Sequence, residues 1–307
     1  MTAGSHKTHR HGIAAEILPF ILSAGSSHQL MSDIVAKSEA VLASIRALGS
    51  CAVAFSGGVD SAVVAKAAQL ALGDRAVAVT GVSSSLAAGE LDEARELAAR
   101  IGIRHVVIST AEFSNPSYTR NDSDRCYYCK TELYQQLTSR LEELGVDFIL
   151  NGANRDDAGD FRPGERAAAE HKVRSPLVEA GCTKEDVRGL AALWDLPIWD
   201  KPAMPCLASR VAYGEEVTPE RLAMVDQAEQ YLRGLGFREL RVRYHRGDLA
   251  RVEVPSSEIS RVIDAGFRDA LVERFRSLGF KFVTVDLEGL RSGSMNRIIP
   301  AETLRAR

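Results

Sequence analysis

Cys51-Ala52-Val53-Ala54-Phe55-Ser56-Gly57-Gly58-Val59-Asp60-Ser61 is the stretch on which the fold turns. An apolar run stops at two glycines, and a helix-prone run from Ala62 to Leu72 begins at once. The pattern predicts a strand, a tight loop and a helix N-terminus, a geometry that binds anions through backbone N–H groups and the helix dipole. Glycine lets the backbone approach a phosphate closely. Ser56 and Ser61 add hydroxyl donors, and Asp60 is a carboxylate placed to hold Mg²⁺ between phosphate oxygens. The loop is neither a Walker A sequence nor a Gly-x-Gly-x-x-Gly dinucleotide turn. Its plain alternative is an ordinary Gly-Ser turn before a helix.

Outward from this loop, strands and helices alternate. Ser32 caps an expected helix to about Leu48, with Ile34, Val35, Val41, Leu42 and Ile45 as its apolar stripe. Strands are expected at Arg75–Val82, His105–Ser109 and Asp147–Gly152, and helices at Ala87–Arg100 and Thr131–Leu144. This order predicts an α/β fold with a doubly wound parallel sheet. Ligands of such sheets sit at the carboxyl ends of the strands. The loop, Thr80-Gly81-Val82-Ser83 and Asn151-Gly152-Ala153-Asn154 would then share one rim.

Past a short helix at Thr183–Trp194 the pattern changes. A long helix from Thr218-Pro219-Glu220 to about Arg233 precedes strands at Leu240–Tyr244 and Ala250–Val254, a helix at Phe267–Leu278 and a strand at Phe280–Leu287. This predicts a smaller C-terminal α+β domain from residue 215 to 307. Met1–Gln29, with His6, His9 and His11, reads as a disordered leader, so residues 1–30 are set apart from a first domain at 31–214.

The whole chain has 307 residues, 45% hydrophobic and 26% charged, enough for two globular units. A formal net charge of −3 offers no general attraction for nucleic acid. No apolar run approaches the ~18 residues of a membrane helix. Five cysteines argue against a disulfide scaffold and for a reduced, cytoplasmic protein.

Three cysteines carry a chemical signal. Cys126 and Cys129 form a Cys-x-x-Cys pair, open to reading as a metal half-site, a redox dithiol or two packed thiols. Zinc would want a second pair or two histidines, and neither is present. Cys206, between Pro205 and Arg210, is the good third thiol; its loop is stiffened by proline, and Arg210 would favour a thiolate. Three thiolates with one open iron position can hold a [4Fe-4S] cluster. Cys51 and Cys182 read as structural. Asp156, Asp157 and Asp160 lie close enough in sequence to share a cation or to form an Asp-rich turn. Arg241 and Arg243 fall on one face of a strand, and Arg246 and Arg291 add further candidate anion binders, the alternative being a solvated charged face.

The loop SGGVDS resembles the PP-loop of the ATP pyrophosphatases, the adenine-nucleotide α-hydrolase-like superfamily, whose members split ATP between the α and β phosphates and adenylate a substrate. With RCYYCKTELY, NGANRDDAGDFRPG, VRSPL, KPAMPCLASRVAYGEEVT and GLRSGSMN in order from about Cys51 to Asn296, the chain resembles the LarE family, ATP-dependent sulfur transferases of nickel-pincer nucleotide biosynthesis. The resemblance implies that ATP adenylates a carboxylate of pyridinium-3,5-biscarboxylic acid mononucleotide and that sulfur then replaces AMP to give a thiocarboxylate. Ser56, Gly57, Gly58, Val59, Asp60, Ser61 and Gly152 would bind ATP and pyrophosphate, with Mg²⁺ on Asp60. Ser209, Arg210, Glu229, Arg241, Arg243 and Arg291 would bind the nucleotide substrate. Cys126, Cys129 and Cys206 would act in catalysis, holding a [4Fe-4S] cluster that supplies sulfide; the other route within the family sacrifices the sulfur of the cysteine matching Cys206. The family further implies a homo-oligomer, such as a hexamer, and other enzymes of nickel-pincer biosynthesis as partners. A tRNA thiolase, an amide-forming synthetase of the NAD or GMP type and a non-catalytic nucleotide sensor are the rival readings.

Overall fold

The computed structural model describes residues 24–159, 163–202, 204–291 and 293–298. Helix α1 (Ala24–Arg46) starts inside the stretch expected to be leader, and the three histidines of that stretch lie outside the described residues. Strand β1 (Cys51–Ala54) is buried along its whole length, because its sheet is covered on both sides. Cys51 and Val53 pack into one core and Ala52 and Ala54 into the other, the alternation of a strand with two apolar faces.

The chain continues through α2 (Val59–Leu72), β2 (Ala76–Val82), α3 (Glu90–Ile101), β3 (Arg104–Ser109) and a short α4 (Pro116–Thr119). Then come α5 (Arg125–Thr138), α6 (Leu141–Leu144), β4 (Phe148–Leu150), α7 (Pro163–Glu170), α8 (Pro176–Glu179) and α9 (Lys184–Leu193). The four strands are parallel in the order β3-β2-β1-β4, as expected for a doubly wound α/β sheet. Residues of α1, α2, α3 and α9 build the core on one face, and those of α5 and α7 pack on the other.

One element differs from the expected boundaries in a way that matters. The helix expected from Thr131 begins at Arg125, so Cys126 and Cys129 lie in its first turns. It ends at Thr138 because local side chains take its last carbonyls. The Thr138 hydroxyl donates to the Tyr134 carbonyl at 2.7 Å, and Ser139 and Arg140 both donate to the Gln136 carbonyl at 3.0 Å.

The second unit contains α10 (Pro219–Gly234), β5 (Arg241–His245), β6 (Leu249–Glu253), α11 (Ile259–Ile263), α12 (Ala265–Ser277) and β7 (Phe282–Val285). Its sheet runs β5-β6-β7, antiparallel then parallel. Thr218 caps α10 by accepting from Arg221 N at 3.3 Å, with Pro219 at the first helical position. The second core takes in Leu207, Ala208 and Val211 from the connector and Ala87 and Tyr118 from the first unit, so the two units share buried surface.

The order 3-2-1-4 puts the switch in winding direction between β1 and β4, where the loops after these strands open a crevice. Gly152 follows β4 there. A Cβ at this position would stand 2.8 Å from Ser61 N and 2.9 Å from Asp60 C, both backbone atoms of the first turn of α2. Gly152→Ala should therefore push the two loops apart, lowering stability by about 1–3 kcal/mol and weakening ATP binding; an unchanged unfolding midpoint with wild-type nucleotide affinity would contradict this close approach.

Candidate active site

At the carboxyl ends of β1, β2 and β4 lies a cleft of about 630 Å³, a size that suits a nucleotide-sized ligand. Ser56, Asp60, Ser61 and Gly152 line one end, and Cys126, Cys129 and Cys206 line the same cleft. The SGGVDS loop is internally braced: Ser56 N donates to Ser61 Oγ at 3.2 Å, and Ser61 Oγ donates to Gly58 O at 3.0 Å. Gly57 takes a left-handed φ of 71°, which favours glycine. Gly58 at the N-cap of α2 has no side chain with which to cap the first-turn N–H groups around Val59, Asp60 and Ser61. A phosphate is the natural partner for such donors.

Asp60 is not idle. Its Oδ1 accepts from Asn154 Nδ2 at 3.2 Å, and its Oδ2 accepts from Lys184 Nζ in a short ion pair. Both oxygens are engaged, so a divalent cation on Asp60 requires the Lys184 ammonium to move. Asp156 accepts from Lys184 N at 2.8 Å and Asp157 from Asn154 N at 3.0 Å, which sets these carboxylates to bracing the loops; Asp160 lies outside the described residues.

Asn121 and Arg125 bring the cysteines together. Asn121 is fully buried with φ 61°, a left-handed conformation that asparagine tolerates. Its amide donates to the carbonyls of Val211, Ala212 and Glu215 at 3.3, 2.9 and 2.9 Å. Its Oδ1 accepts from Arg125 Nη1, which also donates to Ala208 O at 2.8 Å. The helix of Cys126 and Cys129 is thereby tied to the turn that follows Cys206. From the other side, Leu207 N donates to Ser85 O at 3.0 Å, and Ser83 and Ser85 both donate through their hydroxyls to buried Glu112 Oε1.

All five cysteines are free; Cys51 and Cys182 are buried, whereas Cys126 and Cys206 are exposed. Burial first, and then the nearby Cys206 and Glu112, push the Cys129 thiol up to about 12. Among the described residues, no three His, Cys, Asp or Glu side chains come close enough to hold a single metal ion. A four-iron cube spreads its thiolates further than one ion does. Three thiols facing one cleft, with Lys130 also lining it and buried Arg125 beside them, have the donor chemistry and counter-charge that such a cluster requires.

The candidate substrate residues divide into engaged and free. Arg210 and Glu229 meet in a buried ion pair at 3.0 Å, and Arg210 also donates to the carbonyls of Pro205 and Cys206, so its charge is neutralised while it shapes the Cys206 turn. Ser209 Oγ donates to Cys206 O at 2.8 Å. Arg243 is buried against Glu253 at 3.0 Å and donates to Ser209 O and Ser294 Oγ; burial, opposed by Glu253, pulls its pKa down to about 10. Arg291 pairs with Asp286 and Glu288, and Arg246 with Glu215. Arg241 alone of the six expected substrate residues has no side-chain hydrogen bond or ion pair among the described residues. Burial and then Arg210 lower its pKa, partly offset by the charges of Glu253 and Glu229. Lys184, Asn121, Arg125 and Glu112 are contributors that the sequence reading did not single out; each acts through partners distant in the chain, with no local motif to mark it.

The asparagine synthase family model matches residues 38–125, which hold the loop and the first three strands. An uncharacterized protein of Synechocystis is 47% identical over 80% of this chain and 92% of its own length. The pyridinium-3,5-bisthiocarboxylic acid mononucleotide synthase of Lactiplantibacillus plantarum is 38% identical over 87% of this chain and 96% of its own length. A tRNA-specific 2-thiouridylase of Azorhizobium caulinodans is 30% identical over 49% of this chain and 48% of its own. Fold and loop define a PP-loop protein of the ATP pyrophosphatase type. Within that class the chain belongs to the LarE family, that of the Lactiplantibacillus synthase.

The thiolate is the form of cysteine that reacts with alkylating reagents. In metal-free protein at pH 8, Cys126 and Cys206 should label with iodoacetamide well before Cys129, of which about one part in ten thousand is thiolate at that pH. Labelling of Cys129 should still be rising above pH 10, because a raised pKa postpones thiolate formation. Cys129 labelling as fast as Cys206 at pH 8 would contradict the site.

Proposed function

We propose that this protein is an ATP-dependent, AMP- and pyrophosphate-forming sulfur transferase. It adenylates a carboxylate of pyridinium-3,5-biscarboxylic acid mononucleotide and converts it to a thiocarboxylate, in nickel-pincer nucleotide biosynthesis. The observation that supports this most is the sharing of one cleft by the SGGVDS loop and three cysteines. Residues 31–214 act as the ATP pyrophosphatase domain and 215–307 as the substrate and oligomerisation domain of a cytoplasmic homo-oligomer.

A carboxylate is a poor electrophile, and a mixed anhydride with AMP gives it a good leaving group. The loop N–H groups, Ser56 and Ser61 hold the β and γ phosphates, and Asp60 is the residue that would hold Mg²⁺, which when bound supplies charge for the leaving pyrophosphate. Arg241, which makes no side-chain hydrogen bond or ion pair among the described residues, binds the phosphate of the mononucleotide as a fork. Arg210, Glu229 and Arg243 act one step back, holding the Cys206 turn and the strand that carries Arg241. Arg291 steadies Asp286 near the same strands. Cys126, Cys129 and Cys206 are the residues that would hold a [4Fe-4S] cluster, which when bound supplies a site for inorganic sulfide beside the activated carboxylate. Arg125 and Asn121 keep the two parts of that cysteine set in register.

The test is pyrophosphate release from ATP. It should require the biscarboxylate nucleotide and should not be supported by tRNA in its place; release driven by tRNA would move the assignment to a thiolase. Arg241→Ala should raise KM for the nucleotide at least about tenfold with a smaller change in kcat, the loss expected for one charge-assisted phosphate contact. Arg243→Ala should instead lower the unfolding midpoint, since it leaves Glu253 buried without this partner. An unchanged KM in the Arg241 variant would remove that residue from the site.

A further inference from the structure

From outside the loop motif, Lys184 reaches Asp60, which lines the phosphate end of the cleft. It is the first residue of α9, a helix held by a capping box in which Thr183 and Asp186 exchange hydrogen bonds. Its main-chain N–H is held by Asp156, and its ammonium reaches Asp60 on the first turn of α2, a separation of 124 residues in the chain. The side chains of this pair are 39% and 28% exposed, so both open onto solvent at the cleft margin. An ion pair with that exposure adds little to stability. Its position is therefore better explained by chemistry than by folding.

The charge balance of the site needs such a group. Lys130 is the cation that lines the cleft among the described residues, and it stands on the helix of the cysteines. The loop offers neutral donors and the negative Asp60 to a triphosphate. In adenylation, a substrate carboxylate oxygen bonds to the α-phosphorus as that phosphorus loses its bond to the bridging oxygen. The electron pair leaves with pyrophosphate, whose charge must be met where it forms. Mg²⁺ on Asp60 would repel the ammonium from that carboxylate and free it to meet phosphates held by the loop. Lysine suits this role because its flexible stem carries a compact charge.

We propose that Lys184 is a pyrophosphate-binding residue, held on Asp60 in the free protein and transferred to the β and γ phosphates when Mg²⁺ and ATP enter. This rests on the ATP-dependent reading above and adds a catalytic residue to it.

Calorimetric titration of the full chain separates the possibilities without turnover, using Mg²⁺-pyrophosphate, Mg²⁺-ATP and AMP as ligands. Lys184→Met should weaken pyrophosphate binding by about tenfold or more while AMP affinity stays within about twofold, since AMP lacks the β and γ phosphates. Lys184→Arg should retain more pyrophosphate affinity than Lys184→Met, and both variants should keep the wild-type unfolding midpoint within a few degrees. Unchanged pyrophosphate affinity in Lys184→Met would overturn the assignment. Equal losses for AMP and pyrophosphate would also overturn it, by showing a disturbed loop. Wild-type protein that bound AMP and pyrophosphate would leave the ATP reading standing when the Lys184 variants behave as wild type. Wild-type protein that bound none of the three ligands would overturn that reading and this assignment with it.

Discussion

A buried guanidinium sets the geometry of the cysteine-lined half of the cleft. Among the described residues Arg125 has no carboxylate partner in its hydrogen bonds; it is held by the Asn121 amide oxygen, the Ala208 carbonyl and the face of Tyr213, whose ring centroid is 5.8 Å away. Burying a charge is costly unless each donor finds an acceptor, so Arg125 can stay only while these groups keep their places. Because it directly precedes Cys126 and binds a carbonyl two residues past Cys206, its satisfaction and the spacing of the three thiols are one condition. Asn121 extends the same constraint to Glu215, across the connector between the units.

The phosphate half depends on topology instead. The central position of β1, with β2 on one side and β4 on the other, gathers three loops at one rim. The missing Cβ of Gly152 lets the loop after β4 lie against the first turn of α2. The two halves meet through Ser85, whose carbonyl receives Leu207 N and whose hydroxyl binds Glu112. In the proposed reaction, adenylation at one end and sulfur delivery at the other would thus be adjacent.

The nucleotide loop was legible in the sequence because strand, paired glycines and helix start are decided by neighbouring residues. The parallel sheet followed from the same local periodicity. The cysteine set was legible from residue chemistry, with Cys206 in its proline-stiffened loop as the third thiol beside Cys126-x-x-Cys129, and the family resemblance added its part in sulfur transfer. Arg241 and Arg243 were read together from their i, i+2 spacing, yet the structure separates them: Arg243 turns into Glu253, and Arg241 makes no side-chain hydrogen bond or ion pair among the described residues. Spacing fixes the face of a strand, and burial by distant groups such as Ser209 and Ser294 decides which residue on that face is engaged. Asn121 and Lys184 escaped for the same reason, their partners lying some 90 to 124 residues away.

The claim that these three thiols act as one sulfur-delivering set is tested most directly by counting product. Protein purified without oxygen and supplied with iron, sulfide, ATP and the biscarboxylate nucleotide should make several thiocarboxylate groups per chain, and the peptide containing Cys206 should keep its mass. At most one thiocarboxylate per chain, with that peptide lighter by the elements of H₂S, would contradict the account and show that Cys206 gives up its own sulfur.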